Sequence, residues 1–123
     1  MKILVVDDEK DMQLLFEQRF RREIRNRHVE FIFAFSGEEA ITYLNGNQQA
    51  VLILSDINMP GMSGLELLGH IKQKFKAPPP VVMMVTAYGD KENYETAIRL
   101  GADDFITKPV DFNMLKQKLK ISI

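Results

Sequence analysis

Polar residues that could do chemistry stand directly after short apolar runs at four separate points of the chain, namely Asp7-Asp8-Glu9, Asp56, Thr86 and Lys108. Carboxylates held close together repel one another and need a cation. Oxygen ligands favour a hard ion such as Mg²⁺, which keeps several waters and shares a phosphate. A lysine suits one phosphoryl oxygen, and a threonine hydroxyl can donate a hydrogen bond to another. Since an aspartate can itself be the nucleophile, these residue types indicate magnesium-assisted phosphoryl transfer.

The elements that would gather these residues are five short apolar runs, most of them β-branched or aromatic. They predict strands at 3–6, 29–35, 51–54, 81–85 and 105–107. The first, third and fourth runs are apolar almost throughout, as in strands covered on both faces of a parallel sheet. The second run alternates, with Val29, Phe31, Phe33 and Phe35 on one side, which predicts a place toward an edge.

Helical patterns fill the intervals between the predicted strands. Met12, Phe16, Phe20 and Ile24 recur every four residues and predict one face of a first helix. Four further helices are indicated. The second has a capping-box start at 36–39 and a stop at Gly46, and the third is marked by Leu65, Leu68, Ile71 and Phe75. The fourth is marked by Tyr94, Ala97 and Ile98 before Gly101, and the fifth by an N-cap at Asp111 before Phe112, Leu115 and Leu119. This alternation predicts a doubly wound α/β fold, in which ligands bind beyond the carboxyl ends of the strands, where the polar residues fall.

Length and composition indicate a single globular domain over residues 1–123, either a whole protein or a piece of a longer one. The formal net charge of −1 gives no overall field to attract nucleic acid or anionic membrane. The chain has no cysteine, which excludes disulfides and cysteine-based zinc sites and fits a reducing cytoplasm. The apolar run after Met1 is too short for a signal peptide or a membrane span. We therefore expect a cytoplasmic domain without a direct nucleic-acid or membrane partner. The sequence Pro78-Pro79-Pro80 is interpreted as a stiff turn within this domain and not as a linker between domains.

Five groups of residues resemble the receiver domain of two-component response regulators, in the CheY-like superfamily. They are Asp7-Asp8, then Asp56 followed by Asn58-Met59-Pro60-Gly61-Met62-Ser63-Gly64, then Thr86-Ala87, Gly101-Ala102-Asp103-Asp104-Phe105 and Lys108-Pro109. The resemblance covers essentially the whole chain from Ile3 to the last predicted helix. It implies a flavodoxin-like fold, with a five-stranded parallel sheet in the order 2-1-3-4-5 and five helices.

The resemblance also implies a role for each acidic residue of the site. Asp56 would be the phosphoacceptor, attacking the phosphorus of a phosphohistidine on a sensor histidine kinase or phosphotransfer protein, or of a small donor such as acetyl phosphate. The cofactor would be Mg²⁺, bound directly by Asp8 and mainly through water by Asp7. Asp56 itself and the backbone carbonyl of Asn58 would complete the protein ligands.

Lys108, Thr86 and Phe105 would respond to the phosphoryl group. Lys108 would pair with it, aimed by a cis bond to Pro109, and Thr86 would move toward it. Phe105 matches the family's switch aromatic, which turns inward as Thr86 moves away, although an aromatic at this position could also be plain core. The resulting population shift would favour an active arrangement of the fourth helix, fifth strand and fifth helix. That face would control a partner, an output domain or a phosphorylation-dependent homodimer, and the chain would catalyse only its own phosphorylation and dephosphorylation.

Two residues are candidates for tuning the lifetime of the phosphoryl group. Asn58 lies two residues after the acceptor, and Tyr88 lies two after the switch threonine, so both would border the path of the hydrolytic water. We hypothesise that the bulk of Tyr88 slows hydrolysis, which an unchanged dephosphorylation rate in Tyr88→Ala would contradict.

Other functions explain fewer of these residues. A phosphatase of the haloacid-dehalogenase type would need a second aspartate where Asn58 stands, as well as a cap domain. A nucleotide-binding module would need a glycine-rich loop after the first strand, where Asp7-Asp8 would instead repel a phosphate. A degenerate receiver that only binds partners would not need the complete set of site residues.

A basic run on the first predicted helix admits two interpretations. It consists of Arg19, Arg21, Arg22, Arg25 and Arg27. It is either a solvated face or a docking surface for an acidic kinase partner.

Overall fold

The sheet consists of parallel strands whose carboxyl ends carry the residues of predicted chemistry. In the computed structural model, which describes residues 1–46, 52–75, 80–87 and 89–122, the strands are β1 Lys2–Val6, β2 Glu30–Ala34, β3 Leu52–Asp56, β4 Val81–Thr86 and β5 Asp104–Thr107. They lie in the order β2-β1-β3-β4-β5, and all neighbouring pairs are parallel. The predicted fold class, strand order and edge position of β2 are therefore confirmed. Val51, Pro78 and Pro79, which the sequence places in a strand and a turn, lie outside the described residues.

The described residues form six helices rather than the five expected. They are α1 Asp11–Arg19, α2 Arg21–Arg25, α3 Gly37–Gly46, α4 Gly64–Lys74, α5 Lys91–Leu100 and α6 Phe112–Ser122. The extra helix arises because the predicted first helix is interrupted at Phe20, where φ is −108° and ψ is 20°. The Phe20 ring is buried, with its centroid 4.9 Å from that of Phe31 on β2 and 5.9 Å from that of Phe16. The backbone thus leaves the helical conformation at the residue whose ring packs between the first helix and the sheet.

Alternate side chains of each central strand supply two separate apolar cores. Leu4 and Val6 of β1 face the core under α3, α4 and α5, while Ile3 and Val5 face the core under α1 and α6. A strand with helices on both faces has no polar side, which explains why β1, β3 and β4 are nearly continuous apolar sequences.

Polar residues cap the starts of α4 and α6, and a glycine ends α5. The Ser63 hydroxyl accepts from the Glu66 N–H and the Glu66 carboxylate accepts from the Ser63 N–H, which makes a capping box at α4. At α6 the Asp111 carboxylate accepts from Asn113 and Met114, as the sequence predicts. Gly101 ends α5 with a φ of 99°, a left-handed conformation that favours glycine.

Candidate functional site

Four strand ends bring the predicted site residues to one edge of the sheet. Asp7 directly follows β1, Asp56 ends β3, Thr86 ends β4 and Lys108 directly follows β5. The register keeps these ends level, because Asp56 lies opposite Val85 and Thr86 lies opposite Thr107. Residues far apart in sequence therefore meet at the carboxyl edge, where open parallel sheets bind ligands.

Three carboxylates form the centre of this edge. One oxygen from each of Asp7, Asp8 and Asp56 lies within 4.8 Å of the others, which is close enough for a single cation to contact all three. Asp56 and Asp7 are buried, at 3% and 8% exposure, whereas Asp8 is exposed to solvent. Such an all-oxygen set of donors fits a hard divalent cation such as Mg²⁺.

Lys108 supplies the positive charge that faces these acids. Its Nζ donates to Oδ2 of Asp56 at 2.8 Å, and the bond between Lys108 and Pro109 is cis, as expected. Partial burial alone would lower the pKa of Lys108, but the hydrogen bond and negative charge of Asp56 raise it above its usual value. The Lys108 N–H also donates to the carbonyl of Thr86 at 2.8 Å, which links the ends of β4 and β5. The lysine is therefore held charged beside the carboxylate.

Asp7 carries an electrostatic cost in the folded protein. Burial raises the pKa of its carboxyl, the Glu9 N–H that donates to it at 2.9 Å lowers the pKa, and the nearby charge of Asp56 raises it again. The net effect is an upward shift from 3.8. The negative charge of ionised Asp7 therefore lowers the stability of the folded protein. A cation bound between the acids would offset this cost.

We expect Asp7→Asn to raise the midpoint of thermal unfolding at pH 7 in the presence of a chelator. An aspartate whose pKa is raised by folding binds protons more tightly in the folded state, so stability falls as pH rises from 3.8 through the folded value. Asparagine removes this cost and can still accept from the Glu9 N–H. The increase in the melting midpoint of Asp7→Asn over that of the unchanged protein should become smaller as the pH falls toward 3.8. Asp8→Asn, at the exposed neighbour, is the matched control, and an unchanged or lower midpoint in Asp7→Asn at pH 7 would contradict this account.

Gly64 supports the site in a way that sequence reasoning missed. A Cβ at this position would lie 1.9 Å from the carbonyl oxygen of Asp56 and 2.8 Å from Cα of Ile57. The Gly64 N–H donates to the Ile57 carbonyl at 2.8 Å, so the start of α4 folds directly back onto the end of β3. Its place in a glycine-containing loop after the aspartate was the available signal, but the close contact itself depends on the tertiary structure.

A cleft of about 490 Å³ opens beside the carboxylates between α1 and the segment that leads into α6. Most of its lining is apolar and includes Met12, Phe16, Val110 and Phe112, while Asp7, Asp56 and Lys108 lie at its polar end. The cleft could therefore accept an apolar group of a molecule whose polar end reaches the carboxylates.

The predicted switch aromatic lies at the surface formed by α5, β5 and α6. These are the fourth helix, fifth strand and fifth helix of the sequence prediction, renumbered because the first predicted helix is divided into α1 and α2. Phe105 is half-buried, and its ring centroid lies 4.3 Å from that of Tyr94, which is 43% exposed. Thr86 is buried and lines a neighbouring cleft of about 240 Å³ with Tyr94. The Lys118 ammonium contacts Asp104 at 3.0 Å and joins α6 to β5 on the same surface. The elements expected to move together are thus in contact, and their movement stays a prediction.

The two residues proposed to tune hydrolysis differ in what the structure describes. Asn58 is exposed beside the site, and its N–H donates to Oδ1 of Asp56 over a long 3.4 Å. Tyr88 lies outside the described residues, so its role stays a prediction.

Comparison with known proteins gives a consistent result along the chain. The family described as "Response regulator receiver domain" matches residues 3–120. A chemotaxis protein CheY homolog of Campylobacter jejuni is 34% identical over 120 residues, which cover 98% of this chain and 90% of that protein. A cyclic di-GMP phosphodiesterase of Thermotoga maritima is 35% identical over 119 residues, but these cover only 30% of that longer protein.

Solved structures show the same architecture. A response regulator receiver protein from Pseudomonas putida has a TM-score of 0.84 and 28% identity, with 98% of this chain and 95% of that chain covered. A Vibrio cholerae chemotaxis protein, CheY4, also has a TM-score of 0.84 at 23% identity, with 99% and 98% covered, and this likeness concerns the fold alone. Among the described residues, no helix is both long and apolar enough to cross a membrane.

Proposed function

Because the chain belongs to the response regulator receiver domain family, we propose that it is a two-component signalling domain that accepts a phosphoryl group on Asp56. The observation that carries the proposal is the position of Asp56, a buried carboxylate that accepts from Lys108 at 2.8 Å and lies within 4.8 Å of two further acids. A cation beside the nucleophile and acids able to hold a metal are what a transferring phosphoryl group requires.

Asp56 is the nucleophile of the proposed reaction. One of its carboxylate oxygens attacks the phosphorus of a phosphohistidine, on a sensor histidine kinase or a phosphotransfer protein, and forms the new P–O bond. The P–N bond breaks, and the imidazole leaves with the bonding electron pair and takes a proton from solvent. Lys108 holds its ammonium against the charge that develops on the phosphoryl oxygens, because it already lies against the Asp56 carboxylate.

The three acids account for the proposed magnesium requirement. Asp8 and Asp56 would hold the ion directly, Asp7 mainly through water, and Asn58 through its backbone carbonyl. A bound Mg²⁺ supplies positive charge that screens the carboxylates from the incoming phosphoryl group. The raised pKa of Asp7 supports this proposal, since burial has placed an acid where its charge lacks full compensation.

We further propose that the output passes through the surface of α5, β5 and α6. Thr86 would move its hydroxyl toward the phosphoryl group, and the Phe105 ring would leave Tyr94 for the space that Thr86 vacates. This displacement would change the surface that a partner, an output domain or a second copy contacts. On this proposal the chain catalyses only its own phosphorylation and dephosphorylation and has no separate substrate.

Intact mass measurement tests the proposed function. We expect incubation of the protein with acetyl phosphate and Mg²⁺ to add one phosphoryl group, and a chelator to prevent the addition. An acyl phosphate should then be lost in mild base, unlike a serine or threonine ester. Because some receivers react poorly with small donors, a negative result is followed by incubation with beryllofluoride and Mg²⁺. Binding is then measured as a rise in the melting temperature, followed with an added dye because the chain has no tryptophan. If neither reagent has an effect, the proposed function is wrong and a binding module that needs no phosphorylation remains.

A further inference from the structure

The arginines of this chain are concentrated in one short stretch. Five of its six arginines lie within residues 19–27, on the last turn of α1, on α2 and in the turn after it, and all five are exposed to solvent. Like charges at such spacing repel one another, and the chain as a whole carries a net charge of only −1. The concentration is therefore local and has no counterpart in the overall composition.

Within the described residues, these arginines lack counter-ions. No carboxylate oxygen lies within 4.0 Å of any of the five guanidinium groups, whereas Lys72, Lys108, Lys116 and Lys118 each contact an acid. Glu23, which lies among them on α2, contacts Lys116 at 3.1 Å, and Arg22 acts on it only through longer-range charge. The arginines thus keep their charges and hydrogen-bond donors available to another molecule.

Four of the arginines surround a concave site. Arg19, Arg21, Arg22 and Arg25 line a cleft of about 480 Å³ with Gln18, Glu23 and Lys116, and we name this surface the arginine cleft. Two of its cations rest against aromatic rings, with Arg19 Cζ 5.7 Å from the Phe112 ring centroid and Lys116 Nζ 5.1 Å from that of Phe20. Side chains that are already held lose less entropy when they bind a ligand.

The surroundings of the arginine cleft favour carboxylates of a protein over single-stranded nucleic acid or an anionic membrane. Guanidinium groups pair with carboxylates, as they do with phosphates, through two parallel hydrogen bonds, which a lysine cannot provide. Single-stranded nucleic acid would need free aromatic faces for base stacking, but Phe20 is buried and the half-buried Phe112 is already covered by Arg19. An anionic membrane would need an apolar anchor beside the charges, and the exposed large apolar side chain of α2 is Ile24 alone, at 36%.

The arginine cleft extends away from the carboxyl edge, and it comes nearest to the site at Arg19, whose guanidinium lies against Phe112, a residue that also lines the cleft beside Asp56. Helix α1 begins just after the acids at the carboxyl edge and ends at Arg19, and α2 leads to the start of β2 at Glu30. The Met1 amino group donates to the His28 carbonyl at 3.4 Å, which places the turn after α2 at the amino ends of the strands. We propose that the arginine cleft docks an acidic segment of a partner protein while the carboxyl edge remains open. The proposal does not depend on phosphorylation of Asp56.

Binding of a defined acidic probe tests this proposal. The probe is a short fluorescein-labelled peptide of alternating glutamate and serine, measured by fluorescence anisotropy at physiological ionic strength. We expect the triple variant Arg21→Gln, Arg22→Gln, Arg25→Gln to bind the peptide about tenfold more weakly or worse, since three charge-assisted contacts are lost. The matched control removes the same charge elsewhere, by Lys74→Gln, Lys91→Gln and Arg99→Gln, and should bind nearly as well as the unchanged protein. Circular dichroism verifies that both triple variants fold.

Two results would overturn the proposal. Equal loss of binding in both triple variants would mean that the peptide responds to net charge and not to the arginine cleft. The second result is displacement of the peptide by single-stranded RNA, or by vesicles of phosphatidylglycerol and phosphatidylcholine. If binding of that competitor were weakened only in the arginine variant, the cleft would be assigned to a different class of ligand. Neither result bears on acetyl phosphate labelling, so failure here is distinct from failure of the proposed function.

Discussion

The Asp56→Asn variant is expected to keep its unmodified mass after incubation with acetyl phosphate and Mg²⁺, while the unchanged protein gains one phosphoryl group. An amide oxygen carries no negative charge and cannot form an acyl phosphate, so the nucleophile is lost completely. Asparagine is nearly the same size, and its Oδ1 can still accept from Lys108 at the position that Asp56 Oδ2 now occupies. The loss should therefore concern the chemistry and not the fold.

Asp111→Asn is the matched control for this experiment. Asp111 is exposed at the start of α6, where asparagine is an equally good N-cap, so both phosphorylation and folding should be retained. Intact mass and a thermal melt of both variants separate the two effects. Labelling of Asp56→Asn at the level of the control would mean that another residue is the acceptor.

Gly64→Ala is expected to lower the free energy of unfolding by about 3 kcal/mol or more, or to prevent folding. The added methyl group would lie 1.9 Å from the Asp56 carbonyl oxygen, which belongs to the backbone of a central strand and has no alternative rotamer. Relief of this overlap requires that α4 move away from β3, with loss of the hydrogen bond that Gly64 donates to Ile57. Urea unfolding followed by circular dichroism measures the change.

Gly69→Ala on the same helix is the control for Gly64→Ala. Its added methyl group would make an ordinary contact of 3.8 Å with Cδ2 of Leu100, and alanine is the better helix former. We expect a gain of up to about 1 kcal/mol. A Gly64→Ala protein as stable as Gly69→Ala would show that the start of α4 can move without cost, contrary to our account of the close contact.

The fold and the position of the site could be predicted because they depend on local patterns and one topological rule. Continuous apolar runs and helical spacing identify β1, β3 and β4 and the helices between them. Once strand and helix alternate, the carboxyl ends of the strands must share an edge, so Asp7, Asp56, Thr86 and Lys108 could be expected together before any coordinates. The capping signals at Ser36 and Asp111 were equally local.

The features that were missed depend on contacts between distant segments. The break at Phe20 coincides with the packing of its ring against Phe31, and the spacing of apolar residues continues undisturbed across it. The contact of Gly64 with Asp56 requires the path of the loop between β3 and α4. The arginine run was visible in the sequence, but its concave form depends on Lys116, which α6 contributes from the other end of the chain.

Helix α2 buries none of its own side chains, which has a consequence for the evolution of this protein. The ring of Phe20 holds the segment to the core, so a substitution of Phe20 would impair folding and would be selected against in every lineage. Glu23 of α2 is paired with Lys116, but Arg21, Arg22 and Arg25 are exposed and make no ion pair among the described residues, so they can drift unless something outside the molecule selects them. Among orthologues, the rate of substitution at Arg21, Arg22 and Arg25, set against that of exposed positions elsewhere, would therefore record the history of the docking partner and not that of the fold.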